Sequence, residues 1–342
     1  MAKERPGIRA VAAAAGVSVT TVSHALSGRG QVSGETRQRV RETAALLGYA
    51  PNPIARALRS SRTNVIGFIS EEIATTPFAG QILSGAQEAA AELGYMLMIV
   101  NIKRGDINDP QIDALLAQQV DSVILASSSH RVVQMPPRLD PARTILVNAH
   151  DPSRPGFAIV PDEIGIGLLA TRRLLHAGHR RIVHVTVDED VPAVGGRERG
   201  YLGAMAEAGQ SPLIVRVPGP ATAQAGSDAI RRAIALANGT TAVFAFNDQM
   251  AMGIYQEISI DPMVTIPHEI SIVGVDDLQL ISAALRPGLT TVALPHAEMG
   301  RKAVEVASQL NLPGPGHGTV VRLPGRLVER ASVAPPPIVT VP

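Results

Sequence analysis

Cysteine and tryptophan are absent from this 342-residue chain, and the aromatic set is completed by only five Phe and four Tyr. Without cysteine there can be no disulfides and no thiolate chemistry, which fits a reducing compartment. With so few aromatics, the 45% hydrophobic content has to form its core mainly from Ala, Val, Ile and Leu. No run of about 18 apolar residues occurs, so a membrane-spanning helix is not expected. The opening Met1-Ala2-Lys3-Glu4-Arg5-Pro6 has no apolar stretch behind its charges, so no signal peptide is expected and the expected location is cytoplasmic. A large net charge is also lacking, the total being +1. The length suits two or three domains rather than one.

The near-zero total hides an asymmetry. Residues 1–63 hold ten basic groups (Lys3, Arg5, Arg9, Arg29, Arg37, Arg39, Arg41, Arg56, Arg59, Arg62) against Glu4, Glu35 and Glu42, and the remainder is acidic on balance. A basic block on an acidic body suits phosphate binding. In that block, Ala12 and Gly16 precede Val17-Ser18-Val19-Thr20-Thr21-Val22-Ser23-His24-Ala25-Leu26 at the spacing of a helix-turn-helix. Ala12 lets two helices cross closely, and Gly16 can take the left-handed conformation of the turn. Val11, Ala15, Val17, Val22 and Leu26 form a shared apolar side, while Ser18 can cap the second helix. Val19, Thr20 and His24 are left on the outward face, where a recognition helix meets base edges. A third helix is expected from about Ser33 to Leu47, with Val40, Ala44 and Leu47 as its buried stripe and Gly48 as its stop. The two prolines of Tyr49-Ala50-Pro51-Asn52-Pro53 then break the chain before a short Ala/Arg/Leu segment, too short to be helical alone.

From Asn64 onward, apolar strands alternate with amphipathic helices, the mark of a parallel α/β sheet. Strands are predicted at Val65–Ile69, Met96–Asn101, Ser122–Ala126, Thr144–Asn148, Ala158–Val160, Arg181–Val187, Ala242–Ala245 and Ser271–Val275. Helices are predicted at 79–93, 109–118, 165–177, 197–208, 222–237, 248–257 and 297–309. Two such series in succession suggest two lobes with a cleft between them.

Together these residues resemble the lac-repressor/galactose-repressor family of bacterial transcription regulators. The headpiece matches in register through Val11-Ala12, Ala15-Gly16-Val17-Ser18, Thr21-Val22-Ser23, Val32-Ser33, Thr36-Arg37, Leu47-Gly48-Tyr49 and Pro51-Asn52. The body repeats the family's landmarks in order at Gly178-His179-Arg180-Arg181-Ile182, Arg197 with Gly200-Tyr201, Asn247-Asp248-Gln249-Met250-Ala251, Ile270 to Gly274 with Asp276-Asp277, and Leu289-Thr290-Thr291-Val292. The resemblance implies an α/β fold: an all-α helix-turn-helix headpiece, then a two-lobed periplasmic-binding-protein-like effector domain with parallel sheets. It divides the chain into a headpiece at 1–49, a hinge helix at 50–62, a ligand-binding and dimerisation domain at 63–333 and a flexible tail at 334–342. Within the body, the N-lobe is expected over about 63–160 plus 293–320 and the C-lobe over about 161–292 plus 321–333.

The implied function is a ligand-responsive, sequence-specific repressor that binds a pseudo-palindromic DNA operator as a homodimer. Carried over by position, Val19, Thr20 and His24 read bases, and Thr21, Ser23, Ser33 and Thr36 hold phosphates. Asn52, Ala55 and Leu58 belong to the hinge, Leu58 standing where the family wedges a leucine into the minor groove. Many relatives carry Arg at position 24, and His offers fewer donors to guanine, which leaves the operator sequence open there. The implied effector set is Glu72, Thr76, Phe78, Arg197, Asn247 and Asp276, for a small molecule of sugar or nucleobase type. Ala79 stands where many relatives have a second aromatic and Leu294 where sugar-binding members often have Gln, making the cleft more aliphatic.

Two enzyme signatures fail on context. Gly165-Ile166-Gly167-Leu168-Leu169-Ala170 matches the dinucleotide pattern with Asp188 downstream, but Pro161-Asp162-Glu163 separates it from its strand, so close helix-sheet packing explains the glycines better. His176 and His179 lack further ligands for a metal, and surface or loop roles are expected for them. No enzyme activity, cofactor or metal is expected. The rival reading as a ligand-binding transport component lacks a signal peptide and leaves the headpiece without a purpose.

Overall fold

The computed structural model describes residues 6–27, 30–49, 62–76, 79–106, 108–236, 239–261, 263–309 and 318–337. Contacts divide the chain into two units, Met1–Asn64 and Val65–Pro342.

The first unit is three helices, α1 (Ile8–Ala15), α2 (Val19–Ser27) and α3 (Gly34–Leu46). Val11, Val22, Ala25 and Val40 are fully buried between them, with Ala12, Ala15 and Ala44 nearly so. Gly16 ends α1 at φ 65°, and the Val17 N–H turns back to the Ala12 carbonyl at 3.0 Å. The second and third helices open with the same cap. Ser18 Oγ accepts from the Thr21 N–H at 3.0 Å, and Ser33 Oγ accepts from the Thr36 N–H at 3.3 Å. The expected stripe on α3 is shortened, because Leu47 is the C-terminal cap residue and lies on the exposed side. Its backbone leaves the helix there, so the helical period no longer aims it inward. Tyr49 packs against the core in its place.

In the second unit, two six-stranded sheets follow the predicted alternation. The first contains β1 (Val65–Glu71), β2 (Met96–Ile102), β3 (Ser122–Val132), β4 (Thr144–His150), β5 (Phe157–Pro161) and β11 (Val320–Leu323), in the order β11-β5-β4-β3-β1-β2. The second contains β6 (Ile182–Val187), β7 (Leu213–Val217), β8 (Ala242–Ala245), β9 (Ser271–Asp276), β10 (Thr290–Ala293) and β12 (Arg326–Val328), in the order β12-β10-β9-β8-β6-β7. All pairings are parallel except β10 with β12. Helices cover both faces. In the N-lobe, α4 (Gly80–Leu93) and α11 (His296–Gln309) lie on one face and α5 (Pro110–Leu116) on the other. In the C-lobe, α6 (Glu163–His176) and α7 (Pro192–Glu207) oppose α8 (Ala223–Leu236) and α9 (Asp248–Ile258). A one-turn helix, α10 (Gln279–Ser282), follows β9. Successive strand residues divide between the two cores, Ile124 and Ala126 on one side of β3 and Val123 and Leu125 on the other.

The chain passes between lobes after β5, after β10 and after β11. The last crossing lies past Leu323, because β11 pairs with β5 in the N-lobe sheet, so the expected boundary at residue 320 moves by a few residues. Four strands escaped the sequence reading: β7, β10, β11 and β12. All are three to five residues long, too short to display a two-residue period. Helix α7 begins five residues before its predicted start, with Pro192 in its first turn. The flexible-tail expectation is overturned for its first residues. The Ala334 N–H donates to Ser271 Oγ at 3.0 Å, and its carbonyl accepts from the same hydroxyl at 3.2 Å and meets His179 Nε2 at 2.9 Å. His179 is therefore a fully buried staple, not a surface residue. The glycine expectation also changes partner: a methyl on Gly167 would overlap the Arg197 carbonyl, so the close approach is helix to helix, α6 against α7.

Candidate DNA-reading face and interlobe ligand site

On α2 the core takes Val22 and Ala25 completely, which turns Val19, Thr20 and His24 to the exposed side. Val19 is 41% exposed. Gly30, at φ 72°, passes so close to the His24 ring that a methyl there would sit 2.6 Å from Nδ1. The four expected phosphate residues fall into two groups. Thr21 and Ser23 are on α2, partly exposed, and Ser33 and Thr36 open α3. The hydroxyls pair within each cap, Ser18 with Thr21 and Ser33 with Thr36, both at 2.8 Å. Each helix N-terminus thus presents hydroxyls beside backbone N–H groups, an arrangement suited to phosphate oxygens. The hinge residues Asn52, Ala55 and Leu58 lie outside the described residues.

The expected effector residues within the described residues have different surroundings. Arg197, on α7, is 4% exposed. Its Nε donates to Glu163 Oε2 at 2.8 Å and its Nη1 to the Phe246 carbonyl at 2.7 Å, and its guanidinium lies 4.6 Å from the Phe246 ring centroid. Asp276 ends β9 at φ 118°. It is partly exposed. Burial, opposed by Arg197 and reinforced by Glu163, pushes its carboxyl up to about 7. Asn247 caps α9, its Oδ1 accepting from the Met250 N–H at 2.8 Å and its Nδ2 donating to the Ala221 carbonyl at 3.0 Å, so its amide serves the protein. Glu72 sits in the left-handed region at φ 60°, and Thr76 Oγ1 donates to its carbonyl at 2.7 Å. Phe78 lies outside the described residues.

Sequence reasoning missed several groups here. Glu163, 5% exposed in the first turn of α6, joins Arg197 to His130 of β3, whose Nδ1 lies 3.2 Å from Glu163 Oε1. Burial pushes the Glu163 carboxyl up, but Arg197 and His130 outweigh it and hold it below the usual value. The ring of His150, at the end of β4, stands edge-on to His130 at 6.0 Å. Asn148 is 2% exposed at φ 56°, its Nδ2 donating to the Ser127 carbonyl at 3.2 Å while its Oδ1 is left without a partner. A buried orphan acceptor at a strand's C-terminal end is what a ligand donor would satisfy. That signal was available, since Asn148 ends a predicted strand. Asp248, fully buried, accepts from Thr291 Oγ1 at 2.6 Å and the Leu278 N–H at 2.8 Å, and burial with Asp276 close by pushes its carboxyl well up.

A cavity of about 220 Å³ opens on the N-lobe at the C-terminal ends of β1, β2 and β3. The Glu71–Arg131 ion pair forms part of its wall with Ile102, Leu125 and Val133. Among the described residues, none of the expected effector set lines it, so it does not coincide with the interlobe cluster.

The chain's profile matches that of known regulators along its length. Residues 7–52 match the bacterial regulatory proteins of the lacI family, and residues 171–333 match the periplasmic binding protein-like domain. The HTH-type transcriptional regulator DegA of Bacillus subtilis is 31% identical over 333 residues, covering 95% of this chain and 97% of DegA. The chain belongs to the lacI family. This LacI-family protein is a DNA-binding transcriptional regulator, as are its relatives. The ribose operon repressor of Escherichia coli is 30% identical over 303 residues, covering 86% of this chain and 90% of that repressor. A solved structure of the transcriptional regulator CelR–cellobiose complex is 28% identical with a TM-score of 0.65, covering 96% of this chain and all of that one. Among the described residues, no helix of the regulator is long and apolar enough to cross a membrane.

Proposed function

We propose that this regulator is a cytoplasmic repressor that binds a pseudo-palindromic operator as a homodimer and is controlled by a neutral, hydroxyl-rich small molecule of the sugar type held between its lobes. The carrying observation is the charge pairing of Arg197 in the interlobe network and of Arg330 and Arg131 within the two lobes. Arg197 is already neutralised by Glu163, Arg330 by Asp277, and Arg131 by Glu71. No unpaired guanidinium among these three remains to attract a phosphate or carboxylate, while Asp276 and the Asn148 Oδ1 suit hydroxyl donors. Relatives named for ribose and cellobiose support the same class. On the DNA side, Val19, Thr20 and His24 would read bases from a major groove, two copies about one helical turn apart. Of the other expected ligand contacts, the Thr76 hydroxyl and the Asn247 amide already serve partners within the protein.

The test is a mobility shift on DNA upstream of the protein's own coding sequence, run alone and with panels of free sugars, sugar phosphates and nucleobases. A free sugar should change the shift; sugar phosphates should not. Absence of DNA binding at low salt under every condition would sink the reading.

A further inference from the structure

One chain of polar contacts joins the two lobes. It starts at His130 on β3 of the N-lobe, whose Nδ1 is 3.2 Å from Glu163 Oε1. The other oxygen of Glu163 accepts from Arg197 Nε at 2.8 Å, and Arg197 Nη1 donates to the Phe246 carbonyl at 2.7 Å, immediately before the cap of α9. His130 and Glu163 are both largely withdrawn from water, at 9% and 4% side-chain exposure, so their meeting is dry.

The two halves of this chain differ in what holds them. The Glu163–Arg197 half lies within the C-lobe and is locked by glycine crossings between α6 and α7. A methyl on Gly167 would overlap the Arg197 carbonyl, one on Gly200 the Ile164 carbonyl, and one on Gly196 the Glu163 side chain. With no slack at that crossing, Glu163 and Arg197 keep their geometry in any arrangement of the lobes. The His130–Glu163 half has no such lock. Its partners sit on different lobes, and α7 meets β3 across the boundary. Relative movement of the lobes would break this contact, leaving a buried carboxylate with one partner fewer.

We infer that Glu163 is a positioning residue for Arg197 and that its contact with His130 is an interlobe latch, made when the lobes are together and broken when they part. The inference rests on the ligand-response reading only in its consequence for DNA. The latch itself is a property of the body. Its neighbour Arg131 turns to Glu71 and Ser127 within the N-lobe, so adjacent residues of β3 serve different purposes, one crossing the boundary and one not.

The absence of native cysteine makes the test direct. Lys103→Cys and Asp190→Cys place labels on exposed residues beyond the C-terminal ends of β2 and β6, one on each lobe. Energy transfer between them reports the interlobe distance without ligand or DNA. His130→Phe keeps a planar ring and removes Nδ1; it should raise the population of the longer distance about fivefold, the lower end of usual coupling between sites. His130→Asn restores a polar atom near the Nδ1 position and should return the distance towards that of the parent. Identical behaviour of the Phe and Asn variants, or an unchanged distance in both, overturns the latch. A shared shift accompanied by a lowered heat-unfolding midpoint in both would assign His130 to packing and equally overturn it. Operator affinity measured on the same proteins should follow the distance change. If distance responds and operator affinity does not, the latch stands and its proposed link to DNA binding fails.

Discussion

Buried histidines in this protein show how one residue type takes different work from its surroundings. His130 meets a carboxylate across the lobe boundary, His179 ties Thr241 and Ala334 together, and His184 is enclosed with no carboxylate at all. The His184 ring stacks on Phe244 at 4.4 Å, its Nδ1 lies 3.0 Å from the Phe244 carbonyl, and its Nε2 has no partner. Burial pushes its pKa down to about 4. The folded state thus binds fewer protons than the unfolded chain between about pH 4 and 6.5, and stability is lost as pH falls through that window. By pH 5 the loss from this one group should reach ~2 kcal/mol. The raised Asp276 works in the opposite direction, gaining stability as pH falls below about 7, so a comparison of variants is needed. Between pH 7.5 and 5, urea unfolding should find the change in stability of His184→Leu more favourable than that of the parent by ~2 kcal/mol; equal changes would contradict the assignment. Nothing in the sequence distinguishes these histidines, because their side-chain hydrogen-bond partners come from residues 30 or more positions away.

At the scale of elements, the second unit repeats one device three times. Helix pairs α4/α11, α6/α7 and α8/α9 each cross through reciprocal glycines: Gly85 with Gly300, Gly167 with Gly200, and Gly226 with Gly253. At each, a methyl would overlap a backbone carbonyl of the facing helix. Gly203, one turn along α7 from Gly200, has only Leu168 Cδ1 at 4.0 Å and is open. The two kinds of glycine should respond with opposite signs. Gly253→Ala should destabilise by about 2 kcal/mol or more through overpacking, whereas Gly203→Ala should stabilise by ~0.5–1 kcal/mol through helix propensity. Chemical denaturation midpoints of the two variants decide this, and a loss at both would remove the distinction. The sequence reading found Gly167 but assigned it to the sheet. A single helix pattern cannot say which neighbour approaches its glycine face. The long helices and central strands were legible from period and caps, while the short edge strands β7, β11 and β12 form because neighbouring strands offer them hydrogen bonds.

Over the whole molecule, charge is distributed by unit. The described headpiece carries exposed Arg9 on α1 and exposed Arg39 and Arg41 with partly exposed Arg37 on α3. Two such headpieces on one operator should make binding strongly salt-dependent, with log K against log salt falling at a slope of roughly −5 to −10. Fluorescence anisotropy with operator DNA between 50 and 200 mM salt, values drawn from the usual range, would measure it. A slope near zero would mean that phosphates contribute little. His24→Ala, by contrast, should flatten discrimination between operator variants and leave this slope largely intact, since base contacts release few counterions.

The class of this protein is legible in local sequence: a helix-turn-helix needs only local spacing, a left-handed Gly16 and capping serines, all written within some forty residues. Periodicity likewise determined two α/β lobes in succession, because a 3.6-residue or two-residue repeat is a local property. Tertiary structure alone decided what the cleft contains. The sequence reading placed Glu163 only in the spacer between a strand and the Gly165 pattern, passed over His130, and offered Arg197 as one of six effector residues. They become one buried network only when β3, α6, α7 and β8 converge, since electrostatic and hydrogen-bond partners are set by distance in space, and the sequence separates these by 33 to 116 positions.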